Sequence, residues 1–226
     1  EDASGIDLQQ VRFWYSQAGT PRVEARLEQH HGRAALHLNQ IVPPTPGQPA
    51  KQPMVIPLKV ALIGAESGKE VAPERLVLLR EGEQVEPFAH VPEPAYLSIN
   101  RGFSAPVIVD AERRAGEVEA LAASDTDSFA RYEAVQELMY RELLAATAGE
   151  EASPAPIIAA VRSTLASNAL DHAFKADAIA LPAESLILEK LDAADPDKVH
   201  AVREQFRVAI GSALMDDLAR SYQACS

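Results

Sequence analysis

The feature that most restricts what this chain can fold into is a change of grammar near Asp110: 12 of its 16 prolines fall in residues 1–110 and only four in 111–226. Proline lacks an N–H and clashes with the preceding helical turn, so the first part cannot be a set of long helices, whereas the second part can. Charge divides at the same place. The first part carries 10 Lys and Arg against 13 Asp and Glu, the second 11 against 20. Two domains are the simplest account of a 226-residue chain so divided.

Within the first part the apolar residues recur at every second position. RVEARLEQH sets Val23, Ala25 and Leu27 opposite Glu24, Arg26 and Glu28, the alternation of a half-buried strand. His30-His31-Gly32-Arg33 reads as a hairpin turn and ALHLNQI as the returning strand. MVIPLKVALI places Ile56, Leu58, Val60 and Leu62 on one face, and Pro57, with no ladder donor, predicts an edge strand or a bulge there. RLVLLRE, QVEPFAH, YLSIN and PVIVDAE continue the series between Gly and Pro breaks. Seven short strands so punctuated predict an immunoglobulin-like β-sandwich, without the Cys pair and core Trp of antibody domains.

From Ala111 the period becomes helical. In DTDSFARYEAVQELMYRELLAATAG, Phe129, Tyr132, Val135, Leu138, Met139 and Leu143 recur at three- and four-residue steps, with Asp127 or Ser128 as N-cap and Gly149 as terminator. Ser153-Pro154 and Asp195-Pro196 predict helix starts, giving helices over 155–167 and 196–223, with shorter ones near 171–180 and 183–192. The fold class expected is therefore multi-domain β + α: a sandwich over 21–112 followed by a solenoid-like helical segment over 113–226, with 1–20 as a connecting helix from a preceding domain. The chain opens EDASGIDLQQ, without an initiator Met or signal segment, and Glu1 reads as an internal position.

Several function classes are disfavoured. A net charge of -12 repels nucleic acid, whose phosphates need a basic surface, and no apolar run is long enough for a membrane span. The lone Cys225 cannot form an internal disulfide, which makes a cytoplasmic location the expectation. Among His30, His31, His37, His90, His172 and His200 there is no H-E-x-x-H pair, and His31 with His37 across a hairpin would lack a third ligand. His200 and Glu204, four apart, predict a surface pair. Asp216-Asp217 and Glu150-Glu151 are neighbours that diverge on a helix and make no acid/base dyad. There is no phosphate-binding glycine loop, and GFSAP at 102–106 fails as a nucleophile elbow at its second glycine. Cys225, with no nearby His, is a poor nucleophile. No catalytic, cofactor-binding or metal-ligating residue is therefore assigned.

One stretch remains: IDLQQVRFWYSQ, residues 6–17, predicts a helix of about three turns capped by Asp7, with Leu8, Val11, Phe13, Trp14 and Tyr15 on more than one face. Such a helix fits a junction between domains better than a free end; packing under the sandwich is the plainer account. FWYSQAGTPRVEAR, QIVPPTPGQPAKQPMVIPLKVALIG and RGFSAPVIVDAE together resemble the bacterial alanyl aminopeptidases, the aminopeptidase N group of the gluzincin zinc peptidases. The likeness covers the sandwich and continues less sharply through DSFARYEAVQEL.

The resemblance implies a parent with an N-terminal β domain, a thermolysin-like catalytic domain, a small β-sandwich and a large helical domain, of which this chain matches the third and the start of the fourth. It also implies zinc in the parent and none in this fragment. The family's zinc motif, amine-binding stretch and transition-state tyrosine have no counterpart here. The partners implied are the catalytic domain of the same polypeptide and, in the intact parent, a peptide substrate. The alternative is a free-standing sandwich plus helical-repeat module that binds a peptide or protein.

Overall fold

The computed structural model describes residues 9–168, 170–191, 193 and 195–224. The chain divides between Ala115 and Gly116 into two compact units. The first contains seven strands: β1 (Arg22–His30), β2 (Arg33–Ile41), β3 (Ile56–Gly64), β4 (Glu70–Leu79), β5 (Glu83–Phe88), β6 (Ala95–Ile99) and β7 (Ile108–Ala111). They form one sheet in the order β5-β2-β1-β7 and another in the order β4-β3-β6. All neighbours are antiparallel except β1 and β7.

The period-two alternation explains the core between the sheets. Val23 and Leu36 from one sheet and Ile56, Leu58, Val60, Leu62 and Leu79 from the other are all 0% exposed. Burying each Leu or Ile side chain contributes about 2–3 kcal/mol. The β1–β2 hairpin closes through His31 (φ 50) and Gly32 (φ 75), both left-handed as a two-residue primed turn requires. The edge strands β4 and β5 carry Pro73 and Pro87, as edges tolerate. On the margin of β6, the carbonyls of Leu97 and Ala95 accept from the guanidinium groups of Arg113 (2.8 Å) and Arg114, so side chains close that edge.

Pro57 corrects the edge-strand alternative: β3 is the central strand of its sheet. The bulge alternative is met within the strand, as register shifts between Val60 and Ile63, although not at the proline itself. Lys59 N–H donates to Ser104 Oγ (2.9 Å) on the β6 side. Two residues earlier, Pro57 presents its missing donor on that same side, beyond β6, which pairs only with Val60–Gly64. A central strand accepts proline where its neighbour has already ended.

Of the predicted three-turn opening helix, only the part from residue 9 on falls among the described residues. A 3₁₀ turn (Gln10–Arg12) runs into one α-helical turn, α1 (Phe13–Ser16); the predicted cap Asp7, with Leu8, lies outside the described residues.

The second unit contains α2 (Glu117–Ser124), α3 (Ser128–Ala148), α4 (Ala155–Ala166), α5 (His172–Ala178), α6 (Glu184–Leu188), α7 (Pro196–Ala213) and α8 (Met215–Gln223). α3 starts where Asp127 Oδ1 accepts from Ala130 N–H (2.8 Å) and ends at left-handed Gly149. There Glu150 N–H bonds Ala145 O and Gly149 N–H bonds Ala146 O, a Schellman closure. Of the stripe that the spacing predicts, Val135, Leu138, Met139 and Leu143 are buried, while Phe129 and Tyr132 at its N-terminal end are only half-buried. Ile157 and Val161 of α4 and Val199 and Phe206 of α7 join the stripe in the helical core.

α5 and α6 are shorter than expected, and α2 has no counterpart among the predicted helices. The expected single helix over 196–223 is two. Leu214 leaves helical geometry (φ -117, ψ 13) with its side chain fully buried, and α8 restarts with Asp216 and Asp217 in its first turn. Acidic side chains there favour a new N-terminus through the helix dipole.

Candidate functional site

The outer face of the β5-β2-β1-β7 sheet holds a shallow concavity of about 570 Å³ lined by Glu24, Arg26, His37, Asn39, Glu83 and Asp110 among others. Alternation points these side chains to solvent, and the pairing of β1 with both β2 and β7 brings them together. Arg22 binds Asp110 (2.8 Å), Asn39 Nδ2 donates to Glu24 (2.8 Å), and Glu28 takes Arg26 and His37 Nε2 (3.2 Å). The hydrogen bond from Arg26, with the charges of Arg26 and His37, holds the Glu28 carboxyl below its ordinary range. A carboxyl so depressed is ionised at neutral pH, the opposite of a poised general acid. The face is laced with ion pairs and presents no activated nucleophile.

The other candidates resolve into structural roles. His31 sits in the exposed β1–β2 turn while His37 faces Arg26 across the ladder, so the two do not converge. Ser104 of the GFSAP stretch accepts from Lys59 N–H and donates to Asn100 Oδ1 (3.2 Å), which spends its hydroxyl on the loop. Asn100 also accepts from Ala105 N–H (2.9 Å) in a left-handed conformation it tolerates. Next to it Arg101, 3% exposed, pairs with Glu70 (2.8 Å) and Glu74 (3.4 Å). Nothing in the local sequence marks the partners of this buried guanidinium, because its carboxylates lie on the exposed side of β4.

His200 does not pair with Glu204. Its Nδ1 lies 2.8 Å from Glu184 Oε1 on α6, while Glu204 binds Arg207 (2.6 Å). The hydrogen bond and charge of Glu184 push His200 upward from its ordinary value. Asp217 takes Arg162 (3.1 Å) and Arg220. Glu150 and Glu151 are exposed, and Cys225 lies outside the described residues. Among the described residues no three His, Cys, Asp or Glu side chains gather to hold a metal ion, and no helix is long and apolar enough to cross a membrane.

Both units match known families. Residues 19–112 match DUF3458, a domain of unknown function with an Ig-like fold, and residues 116–226 match DUF3458_C, a domain of unknown function made of ARM repeats. Aminopeptidase N of Caulobacter vibrioides is 39% identical over 97% of this chain. The chain is homologous to aminopeptidase N. The aminopeptidase N of Escherichia coli is 32% identical over 99% of the chain, and that of Haemophilus influenzae 33% over 98%. The chain spans about a quarter of the length of these aminopeptidase N relatives, 26–27% of each. A crystal structure of Legionella pneumophila aminopeptidase A in complex with aspartic acid superposes with a TM-score of 0.81, at 24% identity, over 97% of this chain and 25% of that one. That likeness carries the fold: an Ig-like sandwich followed by ARM-type helices.

Proposed function

We propose that this chain is a noncatalytic structural portion of a zinc aminopeptidase that, when intact, removes the N-terminal residue from peptides. The observation that carries the reading is homology running nearly end to end along the chain while occupying only about a quarter of each aminopeptidase N relative. Zinc, the catalytic base and the groups that hold the substrate amine belong, on this reading, to other parts of the parent polypeptide. The role of these two units is to set a helical wall beside the catalytic domain and so limit access to peptides with free N-termini. The strap at residues 9–18 is the path toward that catalytic domain, and the parent acts in the cytoplasm.

Two measurements test this. The purified 226-residue chain, supplied with zinc, is expected not to hydrolyse alanyl anilides; turnover that co-purifies with the chain overturns the reading. An antibody raised against the chain is expected to capture from its native source a product well above 24.3 kDa that does hydrolyse them. A captured product of the chain's own mass, without activity, would favour a free-standing binding module instead.

A further inference from the structure

Residues 9–18 lie outside both family matches, which begin at residues 19 and 116, yet they are tied to the sandwich in a manner unlike any of its strands. The hydrogen bonds that hold them run through side chains. Gln10 Nε2 donates to Pro53 O (3.1 Å) and Arg80 O (2.6 Å), and Trp14 Nε1 donates to Val55 O (2.8 Å). Gln17 exchanges two bonds with the main chain of Gln52, at 2.9 and 2.6 Å. Gln48 reciprocates from the other side, accepting from Ala18 N–H and donating to Ser16 O, both at 2.8 Å. Phe13 and Trp14 pack against the sandwich core only partly buried, and Tyr15 is 91% exposed.

The ledge that receives the strap is held independently. Gln40 on β2, 7% exposed, accepts from Met54 N–H (2.8 Å) and donates to Met54 O (3.0 Å) and Glu81 O (2.8 Å). Met54, which lies between the strap acceptors Pro53 and Val55, is thus held from the sandwich side by bonds in which the strap has no part. Between strap and β1, Gly19 (φ 93) occupies a backbone region open to glycine, a suitable pivot before Pro21.

We infer that residues 9–18 form a clasp that opens as a unit about Gly19 while both sheets stay closed. Its bonds lie mostly at the surface, where water replaces them on release, and its departure breaks no strand ladder; such elements open well below the free energy of global unfolding. In an intact aminopeptidase of the kind proposed above, the clasp is the compliant joint on the catalytic side.

The single tryptophan reports it directly. In a urea series on the full chain, Trp14 emission and acrylamide quenching are followed together with hydrogen exchange of β1 and β2 amides. The expected result is a Trp14 transition at lower urea than loss of strand protection. The double variant Gln17→Ala/Gln48→Ala is expected to lower the first midpoint alone and to speed exchange of amides 13–18 by about tenfold. Gln40→Ala, which loosens the ledge, is expected to move both. Coincident transitions in the unmodified chain, or equal displacement of both midpoints by the double variant, would overturn the inference.

Discussion

At the scale of single residues, buried polar groups determine which substitutions this chain tolerates. Gln40 satisfies Met54 N–H, Met54 O and Glu81 O at once. Gln40→Leu leaves these groups without that partner and is expected to destabilise the sandwich by about 2–3 kcal/mol, read as a lowered midpoint of strand protection in urea. His200 makes the opposite kind of contact, an exposed pair with Glu184. Its folded pKa is raised, so the stabilisation is fully present below the ordinary imidazole value of 6.5 and is lost as pH rises through the higher folded value. Hydrogen exchange around α6 is therefore expected to quicken, relative to His200→Gln, as pH rises above the ordinary imidazole value. A difference between the two proteins that does not vary with pH would show that the pair carries no charge-dependent hold.

At the scale of elements, caps and joints carry most of what mutation can test. Gly149→Ala forces a Cβ into a left-handed position (φ 83) and is expected to cost α3 about 1 kcal/mol, measured by urea unfolding followed at a helical wavelength. Leu214→Ala opens a cavity at the α7–α8 break, where the side chain is fully buried; a loss of about 2–5 kcal/mol is expected in the same measurement. The strands and α3 were legible in sequence because their signals are local: alternation about Val23 and Ala25, an Asp cap, a terminal glycine. The break at Leu214 was not, since Gly211 and Ser212 mark weak helix without saying that the next leucine turns inward. α2 was missed because Gly116 precedes it with no capping side chain. The outer-face concavity was illegible for another reason: Glu24, Asn39, Glu83 and Asp110 come from four strands, and only non-local pairing joins them.

At the scale of the whole molecule, net charge is divided unequally between the two units. The helical part carries most of the net charge of -12. Self-repulsion weakens it at low ionic strength, so added salt is expected to raise the melting of the helical signal more than that of strand protection, and an equal response of both would contradict this. The Ig-like match stops at residue 112, yet the guanidinium groups that cover β6 belong to Arg113 and Arg114. A graft trimmed to the family boundary would carry a bare strand margin into its new host, a template for unwanted pairing, whereas one extended by two residues would bring its own stopper with it.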